Sequence, residues 1–227
     1  MPAPPGARKG AWAASGPDCG PVRLFSCVQP PEHVARALQQ LPRPDLPELR
    51  WTRAEQWHVT LRFYGEVGAG ELPALGRALA AAGRSVVGPV MAELGTWPLV
   101  LGNALGVPVL GLDSLASAVR EATAGFGRRP EPRTFRAHVT LARARGSKRA
   151  AGRLAGRLPR WAPEGTVRWE VEELLLVSSA LGPAGARHDT LARLPVGGGN
   201  GSEGPRTNMR SSLEWSRPTE APDTPGL

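Results

Sequence analysis

The chain has 227 residues, 41% of them hydrophobic, which is enough for one sizeable domain or two small lobes with a packed core. Its formal net charge of +8 and pI near 11.0 come mainly from arginine. Such a balance favours anionic partners, nucleic acid above all, although a composition biased toward Arg, Ala, Gly and Pro accounts for the same charge. Two cysteines, Cys19 and Cys27, exclude a disulfide framework and a CxxC metal pair. No apolar run approaches the roughly 18 residues of a membrane span and no secretory signal is evident, so a cytoplasmic protein away from membranes is expected.

Residues 1–20, rich in Pro, Gly and Ala, are expected to form a disordered arm. Residues 197–227, which open on a glycine run, are expected to form a disordered tail. The folded domain is then 21–196. Val22–Val28 reads as a strand, and Pro31–Leu41, with Val34, Ala37, Leu38 and Leu41 at helical spacing, as a helix. A Pro-rich connection leads past Trp51 to a strand over Trp57–Tyr64. An Ala- and Leu-rich helix follows over Gly70–Ala82, ended by Gly83, and then a strand over Val86–Leu94. The second half runs the same way: strand Val107–Leu110, helix Leu112–Ala124 capped by Asp113 or Ser114, and strand Phe135–Arg143. Helix Lys148–Leu158 and strands Val167–Val177 and Arg187–Leu194 complete it. Each half reads strand, helix, strand, helix, strand. The expected fold is α+β: two pseudo-symmetric lobes from an internal duplication, with antiparallel-rich sheets lining a central cleft and helices outside.

The tetrapeptide His-Val-Thr-Leu occurs in the third element of each half, at His58–Leu61 and again at His138–Leu141. Side chains alternate along a strand, so His58 and Thr60 share one face, as do His138 and Thr140, with Val and Leu on the other. A single His-x-Thr on an amphipathic strand is more often structural than functional. Core packing, however, has no reason to select the same polar pair in both halves. Two imidazoles, ionising nearest neutrality of all side chains, can divide acid and base duties at one centre, while threonine hydroxyls hydrogen-bond non-bridging oxygens. Zinc would want a third close ligand, and His33 and His188 sit in different contexts, so metal-free acid–base catalysis without a cofactor is the simpler expectation.

These motifs and their surroundings resemble the 2H phosphoesterase superfamily, and within it the RNA 2′,3′-cyclic phosphodiesterases, formerly called 2′-5′ RNA ligases. The likeness runs over most of 21–196. It is carried by Arg23-Leu24-Phe25, by Arg50-Trp51, and by Trp57-His58-Val59-Thr60-Leu61-Arg62-Phe63-Tyr64-Gly65-Glu66-Val67. It continues through Phe135-Arg136-Ala137-His138-Val139-Thr140-Leu141-Ala142-Arg143 and the stretch from Ser178 to Arg187. Three positions depart from it: Tyr64 stands for a usual Leu, Ala137 for a frequent Pro, and His188 for a common Tyr.

The resemblance implies hydrolysis of RNA 2′,3′-cyclic phosphate ends to 2′-phosphomonoesters, reversible as 2′-5′ ligation. It implies His58 as general acid, His138 as general base, Thr60 and Thr140 on the phosphate oxygens, Arg143 as a phosphate contact and Phe63 against the base. Strict alternation puts Arg143 on the face opposite His138, so a bulge or strand end must re-aim it. Arg62 shares parity with His58 and reads either as added positive potential or as a plain surface residue. Arg128, Arg129, Arg133 and Arg136 read either as an RNA-tracking cluster or as a solvated loop. Trp97, Trp161 and Trp169 read as core or lobe edge. The expected partners are RNA or nucleotides with a 2′,3′-cyclic phosphate, met by a monomer with no obligate protein partner. The alternatives are a related phosphodiesterase acting on another cyclic or 2′-5′ substrate, and a non-catalytic RNA-end binding module.

Overall fold

The computed structural model describes residues 21–129, 134–146, 148–182 and 185–197. The arm expected at 1–20, the tail beyond Gly197, Arg133 and Cys19 lie outside the described residues. In chain order the elements are β1 (Val22–Val28), α1 (Glu32–Gln39), β2 (Leu49–Trp51), β3 (Val59–Val67), α2 (Leu72–Ser85), β4 (Met91–Leu94) and β5 (Leu99–Leu101). Then come β6 (Ala104–Leu110), α3 (Asp113–Ala122), β7 (His138–Ala144), α4 (Lys148–Ala155), β8 (Arg168–Glu170), β9 (Glu173–Gly182) and β10 (Gly185–Pro195).

The strands form one antiparallel sheet in the order β10-β9-β1-β3-β7-β6-β4-β8, with β2 beside β7 and β5 beside β6. The expected duplication is present. β1-α1-β3-α2-β4 corresponds to β6-α3-β7-α4-β9, and each half builds its sheet around its own motif strand. The closing strands are exchanged: β4 lies beside β6 in the second half-sheet, and β9 lies beside β1 in the first. This explains why the strand expected at Val167–Val177 divides into β8 and β9. Between them, at Val171 and Glu172, the chain crosses from one half-sheet to the other.

Helix α3 packs on β3 and α2, α2 also packs on β9 and β10, and α4 packs on β5, β6 and β7. One apolar core runs through both halves, joining Leu24, Val59, Leu79, Leu115, Val139 and Leu174, all fully buried. Each such side chain contributes about 1.5–3 kcal/mol by leaving water. Trp97 and Trp169 are buried in it and Trp161 packs against it, as expected.

Other expectations are corrected. Helix α2 does not end at Gly83 but runs through it, because α2 crosses β10 there; a Cβ on Gly83 would lie 2.3 Å from the Pro195 carbonyl oxygen. The strand expected at Val86–Leu94 shortens to β4, since Gly88 takes a positive φ and Pro89 follows. Neither Asp113 nor Ser114 caps α3; the N-cap is Leu112, which makes no side-chain cap bond. The hairpin β5–β6, turned at Gly102 with φ +64°, was not expected from the sequence.

Candidate active site

The two half-sheets meet at a single bridge, Val59 paired with Val139. Both valines are fully buried. Carrying this antiparallel register one residue each way sets His58 across from Thr140 and Thr60 across from His138. Directly opposed side chains share a face and stand close together. The four motif side chains therefore alternate around the junction on the face away from the core, each partly exposed, while Leu61 and Leu141 point into the core.

Just past each motif the alternation breaks at the same place. In β3, Cys27 of β1 pairs with Thr60 but the next pair is Ser26 with Arg62, leaving Leu61 as an extra residue. In β7, Gly106 of β6 pairs with Thr140 but the next pair is Leu105 with Ala142, leaving Leu141 extra. A bulge shifts the side-chain phase by one. Phe63 and Arg143, five residues after their histidines, thus return to the histidine face and are exposed, Phe63 by 62%. The bulge needed for Arg143 is present, with a twin in the other half.

The same shift corrects both readings of Arg62. Its side chain is turned into the core and is 4% exposed. The guanidinium donates to the Thr123 carbonyl and hydroxyl, to the Phe126 carbonyl at 2.9 Å and to the Arg128 carbonyl at 3.1 Å, satisfying acceptors just beyond the end of α3. It also lies over the Tyr64 ring at 4.8 Å. Tyr64, where the resemblance would have Leu, is buried with its hydroxyl 3.0 Å from that of Ser26, on the core side and away from the motifs.

Each histidine Nδ1 lies 2.7 Å from the carbonyl oxygen two residues earlier, Gln56 for His58 and Arg136 for His138. A carbonyl only accepts, so Nδ1 carries the proton and Nε2 of the neutral ring is the free acceptor in both. Burial pushes the His58 pKa down to about 4, against the opposing pull of the Gln56 carbonyl. His188, His138 and Arg143 lower it further. His138 is also lowered, first by burial and then by Arg143 and Arg136. The buried Phe25 ring lies 4.9 Å from the His58 ring, and with Cys27, Leu175 and Val177 makes a small apolar cluster separate from the main core.

His188, the departure that the resemblance sets near substrate contacts, stands beside His58, with ring centroids 5.3 Å apart, and its own pKa is lowered by burial. Other contributors escaped the sequence reading. Gln56 both accepts a hydrogen bond from His58 Nδ1–H at its backbone carbonyl and, through its side-chain amide, donates to the Ala186 carbonyl of β10 at 3.1 Å. The Thr52 hydroxyl lies 2.9 Å and 3.0 Å from the carbonyls of Thr140 and Leu141, beside the second bulge, and accepts from Trp57 Nε1. Gly106 lies opposite Thr140; a Cβ there would fall 2.6 Å from the Val139 oxygen and 3.2 Å from His138 Cδ2. Ala137, where Pro is frequent, is tied by its carbonyl to the Val109 amide at 2.9 Å. His33 is exposed on α1. Among the described residues no group of three or more His, Cys, Asp or Glu side chains is arranged to hold a metal, and no helix is long and apolar enough to cross a membrane.

The family model described as LigT like Phosphoesterase matches residues 27–98 and 108–188, one segment for each half and each with one motif. No curated protein sequence matches the chain. Among solved structures, TT0787 of Thermus thermophilus is similar over 79% of this chain and all of its own, at 29% identity and TM-score 0.64. Escherichia coli LigT complexed with 3′-AMP is similar over 78% of this chain and 98% of its own, at 26% identity and TM-score 0.60. LigT complexed with NADP+ has the same coverage, at 25% identity and TM-score 0.60. With both segments matched and the two motifs side by side on one face at their junction, this chain belongs to the LigT-like phosphoesterases of the 2H superfamily.

Proposed function

We propose that the cleft hydrolyses ribose 2′,3′-cyclic phosphate ends of RNA to 2′-phosphomonoesters, and that the same groups run the reverse joining of a cyclic phosphate to a hydroxyl. The observation that carries this reading is the pairing of two histidines in one tautomer, each across from the other motif's threonine, with Arg143 returned to their face. A nucleotide-binding relative, LigT with 3′-AMP, supports a nucleoside phosphate as ligand.

In the forward step one imidazole takes a proton from water, whose oxygen bonds to phosphorus. The bond from phosphorus to the 3′ oxygen breaks, and the other imidazole gives that oxygen a proton. Thr60, Thr140 and Arg143 hold the equatorial oxygens as negative charge grows. Phe63, largely exposed on the same face, offers its ring to the base. No metal enters this account.

By resemblance the donor is His58 and the acceptor His138. With its pKa pushed down to about 4, His58 holds a proton poorly on its own. The donor role therefore requires the bound phosphate anion to raise the His58 pKa so that the ring takes up a proton from solvent, which a negative charge within about 4–6 Å favours. A nucleoside 2′-phosphodiester with a p-nitrophenolate leaving group, which needs no proton, separates the roles. His58→Ala should retain far more activity on it than His138→Ala, and the opposite order reverses the assignment.

The decisive experiment incubates the protein with a short RNA ending in a 2′,3′-cyclic phosphate, with chelator present, and identifies the product terminus. A 2′-phosphate from the wild type, lost by orders of magnitude in His58→Ala and His138→Ala, is the expected result. A 3′-phosphate product, or wild-type-like turnover in either variant, removes the assignment. Tight binding of that RNA with no turnover over hours would make the protein a binding module instead.

A further inference from the structure

Arg50 of β2 pairs directly with Arg143 of β7, so the two side chains stand opposite each other on one face. That face is the histidine face. Leu49 and Ala144, the neighbouring pair, are buried in the core, while both arginines are exposed. Like charges directly opposed in a sheet are destabilising, and no carboxylate relieves this pair among the described residues. Glu48, two residues before Arg50, is taken by Arg157 at 3.5 Å. Elsewhere on the surface exposed arginines do find carboxylates, as Arg168 does with Glu93 and Arg187 with Asp189.

The backbone holds the two arginines in place. The three-residue β2 is pinned by Arg145 N–H to the Glu48 carbonyl before it and by the Thr52 amide and hydroxyl to the Leu141 carbonyl after it. The Trp51 ring, against Trp97 in the core, fixes the strand from beneath. Two arginines on directly opposed backbone positions of one exposed face, with no carboxylate paired to either among the described residues, can close their guanidiniums on one anion. From Thr140 to Arg143 the strand advances roughly 10 Å or less at about 3.3 Å per residue. That puts the anion beside the motif junction rather than within it.

We propose that Arg50 and Arg143 hold the phosphodiester that precedes the reacting cyclic phosphate, so that the cleft is built for an oligoribonucleotide end rather than a mononucleotide. This rests on the function proposed above and gives Arg143 two adjoining phosphates to serve, with Arg50 reserved for the second.

The test compares a nucleoside 2′,3′-cyclic phosphate with a trinucleotide ending in the same group, using the wild type, Arg50→Gln and Arg50→Lys. The wild type should prefer the trinucleotide in kcat/KM. Arg50→Gln should reduce that preference by about tenfold, the scale of a lost hydrogen bond to a charged group, and Arg50→Lys should restore part of it. An unchanged preference, or an equal loss on both substrates, overturns the proposal, the latter because it would put Arg50 on the reacting phosphate. Binding of the trinucleotide at several salt concentrations gives a second readout, independent of turnover. Arg50→Gln should lower the slope of log affinity against log salt by about 0.7, one single-strand phosphate's worth, and an unchanged slope again overturns it. If the wild type turns over neither substrate, the proposed reaction fails while the salt slope still decides the Arg50 site.

Discussion

The His188 ring stands edge-on to that of His58, with centroids 5.3 Å apart and planes at 80°, and both rings pack on Phe25. A proton on either ring therefore opposes a proton on the other. Asp189, beside His188 and paired with Arg187, favours the His188 proton, and Arg143 disfavours both. Replacement of His188 by Phe keeps a ring over the site but removes the charge. The His58 pKa should then rise from about 4, read by NMR titration of its ring protons, and the acid limb of kcat/KM should move up with it. A His58 titration that stays put or falls would show that the His188 charge has no part in setting its basicity.

Acid should weaken the fold through the same ring. His58 stays neutral in the folded chain down to about pH 4, whereas in the unfolded chain it takes a proton near 6.5. Between those values the unfolded state binds a proton that the folded state does not, so stability falls as pH drops through that window and levels below it. The full effect is on the order of 3 kcal/mol, and His138 and His188, both lowered, act in the same direction. Denaturant unfolding at pH 7, 5.5 and 4.5 should show this decline, with a shallower one in His58→Gln. Parallel pH dependence in the two proteins would remove His58 as its source.

The motif faces were legible because they depend on local alternation alone: two polar residues spaced by one, set between apolar ones, leave a strand little choice. The requirement for a bulge near Arg143 was legible for the same reason. The bulge positions were not, because Leu61 is made extra by the register of β1 and Leu141 by that of β6. Arg62 was misread for want of that knowledge. Its partners, Thr123 and Phe126, lie more than sixty residues away in sequence. His188 reaches His58 only because β9 and β10 cross to the first half-sheet, and an exchange of closing strands leaves the order of elements along the chain unchanged.

Arg62 supplies a test of that buried network. Truncation to Ala removes the guanidinium's hydrogen bonds to the carbonyls of Phe126 and Arg128 and to Thr123, all at a buried site. Arg62→Ala should cost about 3 kcal/mol of unfolding free energy. Arg62→Lys should recover little of it, since an ammonium cannot span acceptors that a planar fork reaches. Chemical denaturation measures both. A loss below about 0.5 kcal/mol, the level of an ordinary surface substitution, would mean that Arg62 is the solvated side chain its sequence position suggested.

Gly106 tests how closely the second motif is fitted. Its backbone needs no unusual φ; what it lacks is a side chain, and the missing Cβ would press on the Val139 oxygen at 2.6 Å and the His138 ring at 3.2 Å. In Gly106→Ala the β6–β7 pairing must open or His138 must swing away from the Arg136 carbonyl that orders it. Overpacking of this kind costs about 1–3 kcal/mol, and misplacement of a catalytic group by about 1 Å costs on the order of a hundredfold in rate. Turnover of a cyclic phosphate should therefore fall more than stability loss alone explains, with kcat affected more than KM. If kcat is retained in a variant that is merely less stable, the space over His138 is ordinary packing and Gly106 has no part in holding the imidazole.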